Sequence, residues 1–208
     1  MAVDLVVFDI GNVLLNWDPE GYYDRAMGRV ARVRLFQEVP LNEMNLSIDA
    51  GAPWHQTVEE TAEKYRRWKP EILAWRDNWG KMASPLIDES VAMLRALRAK
   101  RIPVWSLTNF GRETFDYACS VYPALTEFDG AVVSAHIGIV KPDPGIYEAL
   151  ERETGIAPGR ILFTDDKREN IAAAAARGWQ VHHFDGPRGW ADRLVAEGLL
   201  SPSEARAA

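Results

Sequence analysis

Short apolar runs alternate with amphipathic stretches through the second half of this chain, and few folds can accommodate that alternation. The runs are rich in β-branched and aromatic residues, which is typical of strands that are buried on both faces. They are Val3–Phe8, Ile102–Leu107, Gly130–Val133, Arg160–Thr164 and Trp179–Phe184. Strand and helix repeated in turn predict an α/β fold with a doubly wound, Rossmann-like parallel sheet and right-handed crossovers.

Three segments between the apolar runs have helical patterns. Glu89–Lys100 carries apolar residues at helical spacing, and Asp143–Thr154 has Pro144 in its first turn and Gly155 after its end. Ala172–Ala176 is an alanine run, which predicts a compact helix that can pack tightly on a sheet.

The first half of the chain breaks this rhythm, because no convincing strand follows Val3–Phe8 until Ile102. A structureless loop of that length is improbable inside a compact domain. Four helices are predicted instead, over Pro19–Val30, Leu41–Asp49, Val58–Trp68 and Glu71–Lys81. We therefore expect residues 1–14 and 85–208 to form the core domain and residues 15–84 to form a small helical cap subdomain. The final segment, SPSEARAA, is expected to fray.

Composition excludes several classes of protein. A net charge of −6 over 208 residues argues against a general nucleic-acid binder. No apolar run approaches the ~20 residues that a membrane-spanning helix needs, and Asp4 and Asp9 interrupt the first run, which therefore predicts a strand and not a signal peptide. The single cysteine, Cys119, excludes an internal disulfide. We expect a cytoplasmic protein, as a monomer or homodimer.

Asp9 directly follows the first predicted strand, in VVFDIGNVLL. Ligands of doubly wound sheets bind outside the carboxyl ends of the strands, so this carboxylate should face the cleft. Gly11 and Asn12 allow a tight turn whose backbone N–H groups can face a ligand. Taken alone, an aspartate at such a turn is more often structural than functional.

Two further strand ends carry groups that can bind phosphate. Thr108 and Asn109 follow IPVWSL and offer a hydroxyl and an amide, although Thr108 could equally cap the next helix. Lys141, before Pro142 and a helix start, could neutralise both a carboxylate and a phosphate.

Asp165 and Asp166 end another buried strand, in ILFTDDKREN. Adjacent carboxylates repel one another unless a cation or hydrogen-bond donors compensate. Magnesium prefers a few carboxylate oxygens together with water and phosphate, so one member of this pair is expected to bind Mg²⁺ together with Asp9. A pair that only caps the following helix is the structural alternative.

In sequence order, FDIGNVLL, SLTN, VKPDPGIY and FTDDKREN resemble the four-motif signature of the haloacid dehalogenase superfamily of hydrolases. The predicted helical insert matches the position and size of the small C1-type cap of that superfamily. The Asp-x-Gly-Asn-Val form of the first motif and the Asp-Asp pair look like its sugar-phosphate phosphatases. The resemblance implies a Mg²⁺-dependent phosphatase that acts on a small phosphorylated metabolite.

The resemblance also implies residue roles. Asp9 would be the nucleophile that forms an aspartyl-phosphate. Magnesium would be held by Asp9, Asp166 and the carbonyl of Gly11. Asp166 is preferred because it lies four positions before Asn170, and Asp165 would be a neighbouring or alternative ligand.

Among the phosphate-binding groups, Thr108 and Asn109 would orient phosphoryl oxygens, and Lys141 would offset charge between nucleophile and substrate. In the cap, SIDAGAPWHQ resembles a substrate loop, so Trp54 is expected near the substrate, although it could equally pack between cap helices. Trp17 follows the nucleophile loop and is a second candidate to line the cleft.

One position departs from the pattern of most phosphatases in this superfamily. They carry a second aspartate two positions after the nucleophile, as general acid, and this chain has Gly11 there. General acid–base catalysis is typically worth ~10²–10⁴-fold. Water, a substrate hydroxyl or a cap residue could replace it, and Asp49 and His55 are the cap candidates.

The sequence leaves three other functions open, of which a phosphoryl mutase of the same superfamily is disfavoured by the missing general acid. A 2-haloacid dehalogenase would use the same aspartate without metal, but its sites usually carry an aromatic residue where Gly11 stands and lack the paired aspartates. A member that only binds a phosphorylated ligand would have lost the nucleophile or the lysine, and both are present.

Overall fold

The computed structural model describes residues 2–205 and contains a five-stranded, fully parallel sheet. The strands lie in the order β5-β4-β1-β6-β7. Their bounds are Leu5–Phe8 for β1, Val104–Thr108 for β4, Gly130–Val133 for β5, Ile161–Asp165 for β6 and Gln180–His183 for β7. Each overlaps one predicted run, so the predicted α/β fold with a doubly wound parallel sheet is confirmed.

Within residues 2–205, six α-helices flank or follow these strands. They are α7 (Asp88–Ala99), α8 (Arg112–Val121), α9 (Ser134–Ile137), α10 (Pro144–Thr154), α11 (Arg168–Ala176) and α12 (Pro187–Ala196). The ends of α10 show why the sequence places a helix there. The Asp143 carboxylate accepts from the Gly145 N–H at the start, and Gly155 takes a left-handed conformation after the end.

The segment between β1 and α7 is helical and is enclosed by a two-stranded antiparallel ribbon. The ribbon pairs β2 (Leu15–Trp17) with β3 (Ala83–Leu86). Between these strands lie α1 (Pro19–Met27), α2 (Arg29–Glu38), α3 (Leu41–Asp49), α4 (Trp54–Lys64), α5 (Lys69–Asp77) and α6 (Trp79–Met82).

Three features differ from the sequence predictions. Strands β2 and β3 lie where no strand was predicted, because each has only three or four residues and pairs only with the other. Helix α2 was not predicted, because it buries only Leu35 and leaves Val30 exposed, so no apolar stripe marks it. The tail was expected to fray, but Glu204 accepts from the Ser201 N–H and pairs with Lys100, and Ala205 is buried. Residues 206–208 of that tail lie outside the described part of the chain.

The two faces of the sheet are covered by different apolar clusters. Alternate residues of β1 enter opposite clusters, with Val6 and Phe8 in one and Leu5 and Val7 in the other. The first cluster continues without a break into the helical segment, where Trp75 is fully buried. This packing fixes the helical segment above the strand ends. Within residues 2–205 we find no helix with the length and apolar character needed to cross a membrane.

Candidate active site

Three neighbouring strands, β4, β1 and β6, end in polar side chains at the same edge of the sheet. Asp9 follows β1, Thr108 ends β4 and Asp165 ends β6, and all three are buried. The Asp9 N–H donates to the carbonyl oxygen of Thr164 at 3.0 Å, which extends the pairing of the strands to the nucleophile position. The carboxylates of Asp9 and Asp165 therefore lie together at this edge of the sheet, with little exposure to solvent.

Lys141 connects two of these carboxylates. Its Nζ lies 2.8 Å from Asp9 Oδ1 and 2.7 Å from Asp165 Oδ2, and it also donates to the carbonyl oxygen of Leu107 at 2.8 Å. An ammonium group has three protons, so each proton has an acceptor. Only 4% of the lysine surface is exposed. The structure thus places a buried cation directly against Asp9.

Both carboxylate oxygens of Asp165 accept hydrogen bonds from several donors. Asn170 Nδ2 lies 3.0 Å from each of its carboxylate oxygens, and the Lys167 N–H donates to Oδ1 at 2.8 Å. The sequence argument that paired Asn170 with Asp166 is therefore wrong about the contact. Asn170 lies in the first turn of α11, from which it reaches back to the strand end and orients Asp165.

Asp166 is more open than Asp165 and meets the loop after β1. Its Oδ2 accepts from Asn12 Nδ2 at 3.0 Å. Asn12 adopts a φ of 55°, which asparagine tolerates better than most residues, and its Oδ1 accepts from the Trp17 N–H at 2.9 Å. Both ends of this amide are thus engaged within the protein.

Burial and mutual repulsion raise the pKa values of the clustered carboxylates. Burial raises the pKa of Asp9 to about 7; Lys141 opposes that shift and Asp165 adds to it. Burial also raises the pKa of Asp166. Burial by itself would lower the pKa of Lys141, but the carboxylates of Asp165 and Asp9 outweigh it and raise that pKa above its usual range.

The donor set fits a small divalent cation. One carboxylate oxygen each from Asp9, Asp165 and Asp166 lies within 4.8 Å of the others. Three carboxylates next to one buried lysine leave negative charge uncompensated, and carboxylate oxygens are the ligands that Mg²⁺ prefers. Because Asp165 is already bonded to Lys141 and Asn170, the more open carboxylates are Asp9 and Asp166.

The predicted phosphate-binding residues behave differently from one another. The Thr108 hydroxyl is buried and has no hydrogen-bond partner within residues 2–205, but Thr108 does not line the cavity described below. Asn109 does line it, yet its amide donates to the Lys141 carbonyl at 3.0 Å and accepts from the Lys141 N–H at 2.7 Å. Asn109 therefore fixes the backbone of the lysine.

A cavity of about 480 Å³ lies over the carboxylates. Its floor comes from the strand ends and includes Asp9, Gly11, Asn12, Asn109, Lys141 and Asp166. Its roof comes from the helical segment and includes Asn42, Asn45, Leu46, Asp49, Trp75 and Trp79. A cavity of this size suits a small molecule with one anionic end.

An aromatic wall stands on one side of the cavity. Trp17 packs against Trp75 and Trp79, with ring centroids 5.8 and 5.7 Å apart, and all three rings line the cavity. Trp54, which was expected near the substrate, is not among the lining residues and packs on Trp79 from outside the cavity at 6.3 Å. The structure thus brings Trp17 to the cavity and leaves Trp54 as support for Trp79.

Sequence reasoning missed several lining residues. Trp75 and Trp79 are buried in the helical segment and also line the cavity. Asn42 and Asn45 also line it, and with Asp49 they are spaced three and four residues apart. That spacing places them on one face of α3, a signal that the sequence did contain.

The chain resembles proteins of one family along most of its length. The model of the haloacid dehalogenase-like hydrolases matches residues 3–178. A sesquiterpene phosphatase of Aspergillus oryzae is 32% identical over 189 residues, which cover 86% of this chain and 88% of that protein.

Solved structures share the fold. A HAD family enzyme of Bacteroides thetaiotaomicron, in complex with magnesium and inorganic phosphate, has a TM-score of 0.69 and 20% identity and covers 89% of this chain and 96% of its own. An L-2-haloacid dehalogenase of Xanthobacter autotrophicus has a TM-score of 0.65 and 16% identity and covers 99% and 87%.

The family model spans most of the chain. The fungal phosphatase, at 32% identity, aligns with nearly the whole length of both proteins. The order of the four motifs and the parallel sheet agree with both findings. The protein belongs to the haloacid dehalogenase-like hydrolases.

Proposed function

We propose that this enzyme is a Mg²⁺-dependent phosphatase that hydrolyses a small phosphorylated metabolite through an aspartyl-phosphate on Asp9. The observation that carries the proposal is the placement of Asp9 at the floor of the cavity, with Lys141 Nζ at 2.8 Å and two further carboxylates close by. A buried carboxylate paired with a lysine can act as a nucleophile, while the surplus negative charge calls for a metal ion.

Magnesium would be held by Asp9, Asp166 and the backbone carbonyl of Gly11. When bound, it would offset the charge of the phosphoryl oxygens and so let two anions approach. Asp165 would not bind the metal ion directly, because its oxygens already accept from Lys141 and Asn170; it would hold Lys141 in position instead.

The residues of the chain divide the remaining work. A carboxylate oxygen of Asp9 would attack phosphorus, and the Lys141 ammonium would neutralise charge on both partners. The Thr108 hydroxyl, which has no hydrogen-bond partner within residues 2–205, would donate to a phosphoryl oxygen, as would the backbone N–H of Gly11. The Asn12 N–H, expected from the sequence to face a ligand, donates instead to the carbonyl oxygen of Leu15 at 2.8 Å. Asn109 would keep Lys141 in position. Such pre-set groups stabilise charge without reorganising during the reaction.

We further propose that residues 15–84 form the cap that closes over this site and that residues 1–14 and 85–208 form the catalytic core. The cap provides the roof of the cavity, including Asn42, Asn45 and the aromatic wall, and so would contact the part of the substrate that leaves. A closed roof also excludes water from the first step. The monomer-or-homodimer expectation and the cytoplasmic location stay predictions.

The comparisons support a phosphatase more directly than a dehalogenase. The fungal relative, a sesquiterpene phosphatase, matches nearly the whole chain, whereas the dehalogenase structure shares the fold at 16% identity. The paired aspartates point the same way, because halide displacement from carbon needs no metal.

The test is phosphate release from sugar phosphates, polyol phosphates and alkyl phosphates, with Mg²⁺ and with a chelator. The Asp9→Asn variant serves as the blank, and Asp116→Asn, which removes an exposed aspartate of α8, is the matched control. We expect Mg²⁺-dependent release from the wild type and from Asp116→Asn only. Halide release from 2-chloropropionate without metal, and no phosphate release, would overturn the proposal in favour of the dehalogenase.

A further inference from the structure

The leaving group of the proposed reaction lacks an evident proton donor. Two positions after Asp9 stands Gly11, which has no side chain. A Cβ at Gly11 would meet no atom within 4 Å, so the position is not kept small by crowding. An alkoxide is a poor leaving group unless it is protonated as the bond to phosphorus breaks. The proton must therefore come from a source other than the side chain at position 11.

We propose that Asp49, at the end of cap helix α3, is the general acid of the first step and the general base of the second. This inference rests on the proposed phosphatase function. Asp49 lines the same cavity as Asp9, but it belongs to the roof, on the side where the leaving group would lie. Asp9 and Asp166 are the other carboxylates that line the cavity, and both have the roles given above.

The position of Asp49 is fixed by contacts with both domains. Its Oδ2 accepts from Asn45 Nδ2 at 3.0 Å, one turn earlier on α3. Its backbone carbonyl accepts from Ser134 Oγ at 2.6 Å, and Ser134 is a fully buried residue of the core. A Cβ on Gly51 would approach the carbonyl oxygen of Ala135 to 3.2 Å, so the end of α3 lies close against the core.

The charged and polar groups that face Asp49 come from four separate segments. Burial is the largest influence and raises its pKa to about 7. Lys167, the Gly111 N–H and Lys141 oppose that shift, whereas Asp9 adds to it. A pKa close to the working pH suits a group that must give up a proton in one step and take one in the next.

Two other candidates fit less well. His55, the second cap candidate from the sequence, is exposed and does not line the cavity. Lys167 also lines the cavity, but it directly follows Asp166, a proposed metal ligand, and its charge lowers the pKa of both Asp166 and Asp49. We therefore assign Lys167 to charge compensation, and the Lys167→Met variant below tests it as the alternative donor. A carboxyl group can serve in both steps.

The two steps balance. In the first, an Asp9 oxygen bonds to phosphorus, the bond from phosphorus to the leaving oxygen breaks, and the Asp49 proton moves to that oxygen. In the second, the Asp49 carboxylate takes a proton from water while the water oxygen bonds to phosphorus. The bond between Asp9 and phosphorus then breaks, and inorganic phosphate leaves with both carboxyl groups restored.

The experiment compares two substrates of similar size that differ in the basicity of the leaving group, namely benzyl phosphate and p-nitrophenyl phosphate. The parameter is kcat/KM at saturating Mg²⁺, which reports the first step when transfer to Asp9 is irreversible. The variants are Asp49→Asn, Asp49→Glu and Lys167→Met. Glu43→Gln, which removes an exposed carboxylate from the same helix, is the matched control.

We expect Asp49→Asn to lower kcat/KM for benzyl phosphate by ~10²-fold or more and for p-nitrophenyl phosphate by only a few fold, because nitrophenolate leaves without a proton. Asp49→Glu should recover part of the loss, and Glu43→Gln should match the wild type. If Asp49 had a purely structural role, Asp49→Asn would lower kcat/KM equally for both substrates.

Other outcomes would overturn the inference. They are an equal loss on both substrates, a selective loss in Lys167→Met but not in Asp49→Asn, or a wild type that hydrolyses p-nitrophenyl phosphate and not benzyl phosphate. No release of phosphate from either substrate by the wild type would instead refute the phosphatase function itself.

Discussion

Asn12 donates its side-chain N–H to Asp166 Oδ2 at 3.0 Å and so joins the loop after β1 to the loop after β6. The other end of the same amide accepts from the Trp17 N–H, which begins the path into the cap. One side chain therefore orients a proposed metal ligand and holds the first residues of the ribbon. Its left-handed backbone, with a φ of 55°, makes this double contact possible.

Removing the Asn12 amide should weaken metal binding more than it weakens the chemistry. Asn12→Gly is the informative change, because glycine adopts a positive φ readily and only the amide is lost. We expect the Mg²⁺ concentration for half-maximal activity to rise ~10-fold or more, since groups that orient ligands typically contribute 10–100-fold to affinity. Activity at saturating Mg²⁺ should stay within a few fold of the wild type. An unchanged Mg²⁺ requirement would contradict the role of Asn12.

Lys141 should be needed for stability as well as for activity. Lys141→Met removes the cation that lies between Asp9 and Asp165 and leaves both carboxylates buried without it. Breaking a buried ion pair from one side typically costs about 3–5 kcal/mol. We expect a loss of that order in denaturant unfolding of the metal-free protein, together with loss of phosphate release.

A double variant tests the cause of the instability. Adding Asp9→Asn to Lys141→Met removes one of the two carboxylates that lost their partner, so part of the unfolding free energy should return. If the two losses simply add, the instability arises from lost packing of the lysine stem.

The sequence predicted the sheet well because each strand falls in a short, mainly apolar run, and the three central strands β4, β1 and β6 are buried along almost their whole length. The edge strands β5 and β7 are partly exposed. The sequence did not predict how neighbouring polar residues pair. Asn170 reaches Asp165 and not Asp166, which depends on where α11 begins. The sequence named Asp49 and His55 as cap candidates for the general acid but could not choose between them, because the choice depends on the docking of α3 against Ser134, a contact between residues 85 positions apart.

Ser134 should position Asp49 without touching the substrate. Its hydroxyl donates to the Asp49 carbonyl at 2.6 Å and accepts from the Phe110 N–H at 2.9 Å, so it joins the cap to the loop that carries Asn109. We expect Ser134→Ala to lower kcat/KM for benzyl phosphate about tenfold, less than Asp49→Asn does, and to leave p-nitrophenyl phosphate nearly unchanged. Ser120→Ala, on the exposed side of α8, is the control. Equal losses on both substrates would indicate a general loosening of the core.

The rate on substrates with a basic leaving group should fall at alkaline pH. The proposed acid must carry its proton in the first step, and its pKa is raised to about 7. We therefore expect kcat/KM for benzyl phosphate to fall above about pH 7, by up to tenfold per pH unit. This alkaline limb of the pH profile should be missing for p-nitrophenyl phosphate. The Asp49→Asn variant should lose the limb on benzyl phosphate. A limb that persists in that variant would belong to another group.

The raised pKa of Asp49 also predicts that removing its charge stabilises the protein at alkaline pH. The folded value of about 7 exceeds the usual value near 3.9, so the folded state binds more protons than the unfolded state between those two pH values. The stability that the neutral carboxyl contributes is fully present below about pH 3.9 and is lost as the pH rises through about 7. Asparagine carries no such charge at any pH.

Urea unfolding of the metal-free protein at pH 5 and pH 8 measures this effect. Relative to the wild type, the free energy of unfolding of Asp49→Asn should increase by about 1–2 kcal/mol more at pH 8 than at pH 5. This difference is smaller than the full pKa shift would give, because Asp49 is only half-buried. Glu43→Gln, on the exposed side of the same helix, should show no such difference between the two pH values. A variant that is less active and yet more stable would indicate that the buried position of Asp49 serves catalysis at the expense of stability. If variant and wild type differed in free energy of unfolding by the same amount at both pH values, the Asp49 carboxyl would titrate in the folded protein as it does in the unfolded chain.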